Sequence, residues 1–518
     1  MSQTVARGFL RSTALVTAAA IITKFMGFIR EITMAYVYGA GTVSDAFVAA
    51  FTLPGVVLSI AGSALAAAFI PVCYKIGEAE KHRFTSNVLN CLAIIGLLFT
   101  AVFAVFPQAL AFLFASQFDA ETLALASRFL RIIVLGSAPL LMLDVFRAHL
   151  QMQNAFFFAS VISVVSNLTI IPAIPLSKSQ DWPELMAVGV AAGYFLCCFA
   201  LLARCRKHGL QYSLYLNPRD EGMRHLIRTM MPVFLAIGIA EINQVVDRNF
   251  ASWLPSGAMT CLNFAARLSS LITMVIGASL VTVLFPRMSE RASGGDTDSV
   301  RRYLSESIRK LFPVLLPVTV GAILLAGPII RLLFQRGEFG GEDAARTAEA
   351  LQMYALAFFF NSANPLLVRA FYALRSTKTP ALCSAVSVAS GIGMNFLLIG
   401  PLEHRGLALS TSLAAVVSCL LLNLNMRRRL GKLGLLADMP EHIKTLAAAA
   451  LMGGTVWLAL RFVPVMEAGS TLMCAVYTAG LILLGAAVYA VCHAVLRTRF
   501  FGDVMNLLKG MRKRSAGA

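Results

Sequence analysis

Apolar windows of about 20 residues, the length a helix needs to cross a bilayer core, recur in this chain from its N-terminal region to its C-terminal tail. They fall at 11–37, 45–74, 84–107, 123–147, 155–176, 184–204, 228–253, 257–286, 307–330, 343–368, 380–400, 406–426, 443–463 and 471–496. Once they are subtracted, no soluble domain is left. A hydrophobic fraction of 58%, a charged fraction of 14% and a mean hydropathy of +0.75 exclude both a soluble globule and a disordered chain. The expected fold is an all-α polytopic membrane protein with about fourteen transmembrane helices.

Charge sets the orientation. The net charge of +18 is concentrated in alternate loops: Lys75, Lys81 and Arg83; Arg204, Arg206, Lys207, Arg219 and Arg224; Arg287, Arg291, Arg301 and Arg302; Arg427, Arg428, Arg429 and Lys432; and the stretch from Arg497 to Arg514. The opposite loops carry few cations, among them Lys178, Arg331, Arg336, Arg405 and Arg461. By the positive-inside asymmetry, both termini and the basic loops are expected in the cytoplasm. Basic loops facing anionic headgroups account for the charge, so nucleic acid is not an expected partner. The ten cysteines lack C-x-x-C or His-pair spacing and read as small buried hydrophobes. No metal, disulfide or other cofactor is expected. The first window is too long for a cleavable signal and is interrupted by Lys24, Arg30 and Glu31.

The chain repeats itself at a spacing of roughly 220 residues. Gly41 pairs with Gly257, Phe69-Ile70-Pro71 with Leu284-Phe285-Pro286, Arg147-Ala148 with Arg369-Ala370, and Ser160 with Ser384. Both Pro-containing triplets are expected to close a long helix before a basic loop. Each repeat holds six windows, and an even number returns the chain to its starting side. The expectation is therefore two six-helix lobes in parallel duplication, with a substrate site between them, and two further C-terminal helices. The expected parts are 1–208 (N-lobe, helices 1–6), 209–226 (an amphipathic linker on the inner membrane surface), 227–430 (C-lobe, helices 7–12), and 431–518 (helices 13–14 and a basic tail). No G-x-x-x-x-G-K-[ST] motif is present, so the chain is not its own ATPase.

Ionisable residues inside these windows carry the chemical signal. A cation at mid-bilayer costs about 2.5–3.5 kcal/mol on insertion scales, which is tolerable where the charge lines a wet cavity and meets an anion. Lys24 and Glu31 lie two helical turns apart on one face, with Arg30 beside them, and Asp45 opens the second helix. Mutual neutralisation would explain these four more simply, but they are more than one hairpin needs for anchoring. The eighth helix carries Thr260, Asn263, Arg267 and Ser270 in a polar stripe. The seventh carries Glu241, Gln244 and Arg248 on one face and Asn243 with Asp247 on the next. Lys24, Arg30, Glu31, Asp45, Asn263 and Arg267 are the candidate substrate residues. Glu241, Asp247 and Asn395 are candidates for an ion-coupling site. The Ser160, Ser163, Asn167 and Ser384, Ser387, Ser390 stripes read as close helix packing. An excess of cations suits an anionic substrate, and Arg presents a donor fork to phosphate oxygens.

These residues resemble the MurJ (MviN) family of lipid-linked peptidoglycan precursor flippases, in the multidrug/oligosaccharidyl-lipid/polysaccharide exporter superfamily. The similarity is carried by Thr23-Lys24-x-x-Gly27-Phe28-x-Arg30-Glu31, Gly39-Ala40-Gly41-x-x-x-Asp45-Ala46-Phe47, Leu53-Pro54, Leu254-x-Ser256-Gly257 and Ala266-Arg267-Leu268. It continues in Leu333-Phe334-Gln335-Arg336-Gly337-Glu338-Phe339 and in Phe371-Tyr372-Ala373-Leu374-Arg375-x-Thr377-Lys378-Thr379-Pro380. The resemblance implies a two-lobed flippase with a cationic cavity, the family's basic cavity residues falling on Lys24, Arg30 and Arg267 and its functional acid on Asp45. It implies a polyprenyl-pyrophosphate-linked saccharide and membrane lipids as partners, a monomer, and no enzymatic activity. The chain departs from the pattern after Leu53-Pro54, where the family has two Arg followed by Glu-Gly. Here the run is Gly55-Val56-Val57-Leu58-Ser59-Ile60-Ala61-Gly62-Ser63. A flippase for another lipid-linked oligosaccharide is therefore the main alternative. A drug/cation antiporter would favour a carboxylate-rich cavity, and a membrane glycosyltransferase would need catalytic acids and large outer loops.

Overall fold

The computed structural model describes residues 3–153, 155–293, 296–431, 438–463, 465, 470–502 and 505; the basic tail beyond 505 and the side chains of Ser160 and Ser163 lie outside the described residues. The described residues form helices joined by short loops, in chain order α1 (Gln3–Tyr38), α2 (Thr42–Lys75), α3 (Glu78–Val105), α4 (Pro107–Phe114), α5 (Ala120–Ile133), α6 (Ser137–Met152), α7 (Phe156–Ser179), α8 (Leu185–Lys207) and α9 (Glu221–Ala251). They continue as α10 (Ala258–Ser293), α11 (Thr297–Leu324), α12 (Ala326–Phe334), α13 (Gly341–Ala355), α14 (Phe358–Ala373), α15 (Lys378–Leu430), α16 (Met439–Phe462) and α17 (Thr471–Val495). Eight helical stretches among the described residues are long and apolar enough to cross a membrane.

The apolar windows and the helices correspond closely, with local breaks that periodicity does not register. The fourth window is two helices, α5 and α6, joined by a single tight turn at Val134–Gly136. The ninth divides into α11 and α12, and the tenth into α13 and α14. The eleventh and twelfth run together in α15, where Glu403 (φ 48°, ψ −127°) breaks the helix just after Pro401. The two arms there approach so closely that a Cβ on Gly406 would lie 2.2 Å from the Leu398 carbonyl oxygen. Pro71 was expected to close the second helix, but α2 continues one turn to Lys75.

The chain divides into two compact units, Met1–Thr260 with Arg336–Gly340, and Cys261–Gln335 with Gly341–Ala518. The first is organised around buried residues of α2, α3, α6 and α8, among them Leu65, Phe69, Leu89, Phe146 and Leu201. Lipid is as apolar as these side chains, so helix association depends on close packing. Gly189 of α8 shows this: a Cβ there would come within 2.8 Å of the Ala173 methyl on α7. The linker after α8 is non-helical through residue 220 and is tied to the start of α3. Asn87, fully buried, bonds both the N–H and the carbonyl of Asn217 at 2.8 Å. Asn90 donates to the Tyr215 carbonyl at 2.9 Å, and Ser86 accepts from Ser213 N–H at 3.0 Å. On either side of Tyr215, Leu214 and Leu216 are exposed by 92% and 50%.

In the second unit the core is drawn from α10, α11, α13, α14 and α15. The last two helices pack on α11 and α12. Pro317 lacks the N–H that would otherwise bond the Pro313 carbonyl one turn earlier. The buried Tyr489 hydroxyl of α17 donates to that carbonyl at 2.7 Å, so the acceptor that a proline leaves open in one helix becomes the docking point of another.

Candidate functional site

Arg30 of α1 is buried, 9% exposed, and donates to Glu31 at 2.8 Å. Its guanidinium also lies over the Phe51 ring of α2, 4.6 Å from the centroid. Lys24, nearly two turns earlier, is exposed. The long Arg30 side chain reaches Glu31 from the adjacent position. A buried guanidinium fixed by one carboxylate and one aromatic face keeps further N–H groups in a defined plane.

Asp45, 3% exposed, sits in the first turn of α2. One carboxylate oxygen accepts from Gly257 N–H at 2.7 Å, and the other from the Thr260 N–H at 2.8 Å and the Thr260 hydroxyl at 2.5 Å. These donors are the open first turn of α10, whose positive dipole end favours a carboxylate. Arg248, near the end of α9, adds a further favourable charge. Asp45 is thus a helix cap delivered from a residue more than 200 positions away. Gly257 (φ +88°) is required at this join, because a Cβ would lie 2.8 Å from the Ala40 carbonyl oxygen.

The Leu333–Phe339 motif has a comparable structural basis. Glu338 N–H donates to the Tyr36 carbonyl at 3.1 Å. Gly337 (φ +63°) passes so close that a Cβ would be 2.1 Å from that same oxygen. Lys178 reaches Glu338 at 3.7 Å, and Tyr38 shares a 2.8 Å hydrogen bond with Ser177. At the start of the motif, Phe334 stacks on Phe264 of α10 with centroids 5.0 Å apart.

The polar stripe of α10 grades from buried to exposed. Thr260 and Asn263 are buried, whereas Arg267 and Ser270 are exposed. Of the three candidate ion-coupling residues, Glu241 accepts from Gln244 and Asp247 accepts from Asn243 at 3.0 Å, each on its own part of α9. Asn395, in the other unit, accepts from Ser410 across the α15 hairpin. Glu241 and Asp247 are thus engaged locally rather than with each other.

One intramembrane pair escaped the sequence reading. Asp144 and Arg147 of α6 form an i,i+3 ion pair at 3.0 Å, and Asp144 fits against Gly62 of α2, where a Cβ would lie 1.8 Å from its oxygen. Its signal was available: acid and base spaced to meet within an apolar helix. Among the described residues, no group of three or more His, Cys, Asp or Glu is placed to hold a metal ion.

The sequence profile of the family described as "Lipid II flippase MurJ" matches residues 34–477. A "Probable lipid II flippase MurJ" of Thermotoga maritima is 26% identical over 498 residues, covering 96% of this chain and 98% of its own length. One of the same description from Rhizobium tropici is 28% identical over 524 residues, 97% of each chain. Among solved structures, "Lipid II flippase MurJ, inward closed conformation" superposes with a TM-score of 0.81 at 23% identity, over 95% of this chain and 100% of that one. An inward-facing MATE family multidrug transporter of the MOP superfamily gives a TM-score of 0.65 at 15% identity, over 80% and 98%. These two likenesses establish the fold.

Proposed function

The chain belongs to the MurJ lipid II flippase family, and from that premise we propose that it moves lipid II from the cytoplasmic to the outer leaflet of the bacterial inner membrane. The observation that carries this reading is the family match over residues 34–477. It is supported by buried and exposed cations on helices that are otherwise apolar, which suit a pyrophosphate-linked substrate.

The parts are assigned as follows. Arg30, Arg267 and Lys24 contact the anionic pyrophosphate during the transport cycle, Arg30 and Arg267 through forked N–H groups and Lys24 as a point charge. Glu31 orients Arg30. Asn263 offers a neutral amide to the sugar, and Asp45 acts through the α10 cap. Glu241, Asp247 and Asn395 remain the proposed ion-coupling residues, each changing its local partner when a cation binds. The fourteen apolar windows are taken as fourteen crossings, the six-window repeat as two lobes, and both termini as cytoplasmic. The protein works as a monomer.

Replacement of the resident flippase in a depletion strain tests the reading. Lipid II exposed at the outer face is measured directly. Exposure restored to the level of the resident flippase is the expected result. No exposure despite stable membrane expression would overturn the assignment and favour another lipid-linked saccharide, consistent with Leu58 and Ser59 in place of two Arg.

A further inference from the structure

A polar cavity of about 720 Å³ opens where α2 ends, α3 begins and the linker enters α9. Lys75, Arg83, Arg224, His225 and Arg228 line it. Glu80, Asp220 and Glu221 also contribute to its wall, yet no ion pair of Lys75, Arg83, Arg224 or Arg228 is found among the described residues. Asp220 is occupied instead as the cap of α9, accepting from Gly222 N–H at 3.1 Å. Cations gathered around a common space, with acids beside them that do not neutralise them, form a site whose natural complement is an anion.

Two details make this more than a basic surface. The Arg83 guanidinium is stacked on the Tyr215 ring, 4.0 Å from its centroid, and the linker bonds to Ser86, Asn87 and Asn90 hold the segment carrying Tyr215 in place. A planar guanidinium supported on one face loses little freedom when its edge meets phosphate oxygens. Lys75 Nζ lies 3.4 Å from His225 Nε2, a second pair of nitrogens gathered at the same cavity. Its size is within the range of small-ligand sites.

The surroundings identify the source of the anion. The cavity is at the basic end of α2, a helix long and apolar enough to span a bilayer. Exposed apolar side chains adjoin it: Tyr74 beside Lys75, Ile227 and Met231 on α9, and Leu214 and Leu216 flanking Tyr215. Side chains of this kind belong against acyl chains and the headgroup boundary. We infer that this cavity binds the phosphate of an anionic membrane lipid, with Arg83, Arg224, Arg228 and Lys75 as its ligands.

The test uses the full chain, purified and reconstituted in nanodiscs of phosphatidylcholine with or without phosphatidylglycerol, and reads retained lipid by native mass spectrometry. The protein is expected to retain phosphatidylglycerol over phosphatidylcholine. R224A/R228A is expected to lower that retention about tenfold or more, in line with the loss of charge-assisted bonds, and R224K/R228K to keep most of it. Y215L leaves every charge in place but removes the stacking platform, so an intermediate loss is expected. R427A/R428A, a basic pair at the end of α15, should retain lipid as the unmodified protein does. Equal retention by R224A/R228A and the unmodified protein would overturn the inference. So would stabilisation of the unmodified protein by inorganic pyrophosphate but not by phosphatidylglycerol, since the anion would then be a soluble one. Because Y215L alters no charge, a folding failure of the double alanine variant leaves a decisive measurement.

Discussion

Replacing Asp45 with Ala, Asn or Glu would separate a capping role from a ligand role. Alanine strands the Gly257 and Thr260 N–H groups inside the protein, and an unpaired buried donor costs about 1–3 kcal/mol. Loss of an N-cap costs about 0.5–2 kcal/mol by itself. These overlap, so Asp45→Ala should destabilise by about 3 kcal/mol. Asparagine keeps one acceptor oxygen but turns an amide donor toward a second N–H, giving a loss of about 1–2 kcal/mol. Glutamate keeps both oxygens but is one methylene too long for a joint that holds both at 2.5–2.8 Å, and should fall between the two. Thr260→Ala removes one hydroxyl and leaves both backbone donors paired, costing about 1 kcal/mol. Thermal unfolding in detergent should therefore rank Thr260→Ala, Asn and Ala in order of increasing damage, with flipping lost in the same order. If Asp45→Ala unfolded with the unmodified protein yet failed to transport, while Thr260→Ala transported normally, the cap argument would be refuted.

Four further outcomes follow from the geometry. Arg30→Ala and Arg267→Ala should each abolish lipid II exposure at normal protein level, and Lys at either position should restore only part of it; normal complementation by both alanine variants would exclude the roles assigned. Gly62→Ala places a methyl within 1.8 Å of the Asp144 carboxylate and should cost about 1–3 kcal/mol as overpacking, relieved when Asp144→Ala is added; no relief in the double variant would mean the clash is elsewhere. Asn87→Ala should release the linker, seen as faster proteolytic nicking within residues 209–220, whereas unchanged nicking would show that the remaining bonds suffice. Asp119 caps α5, and the hydrogen bond from Thr122 holds its carboxyl below the usual range. Its contribution is therefore present above the ordinary carboxylate pKa and lost as pH falls through the lowered one, so amide exchange in the first turn of α5 should quicken on acidification, and not in Asp119→Asn.

Apolar length alone made most of the architecture readable, because a span has to satisfy its own backbone and be long enough to cross. The breaks were harder. The turn at Val134–Gly136 interrupts a helix where the hydrophobic pattern runs on without a gap, whereas the break at Glu403 falls in the gap between two windows. Among the candidate site residues, Arg30 and Asp45 stand out by charge placement, but their partners do not. Arg30 reaches Glu31 from the adjacent position, a pairing that follows from side-chain length and not from the helical face. The donors to Asp45 are backbone groups, which no residue type announces. Asp144 and Arg147 were legible at their i,i+3 spacing, an acid and a base one turn apart in an apolar helix.

The short stretch Arg336–Gly340 compacts with the first unit although the chain reaches it only after α10, α11 and α12. Gly337 fills a slot against the Tyr36 carbonyl that no other residue type enters without collision. During synthesis, at about 5–20 residues per second, the chain emerges from the mid-chain linker at 209 to Gly340 over roughly ten seconds. Through that interval the end of α1 waits without its last partner. The first half of this molecule is therefore not a segment that can be cut out and expressed alone: a chain ending at the linker would lack both the turn that receives Asp45 and the glycine that seats on Tyr36. A split protein would have to be divided after Gly340, not at the loop that looks like its natural middle.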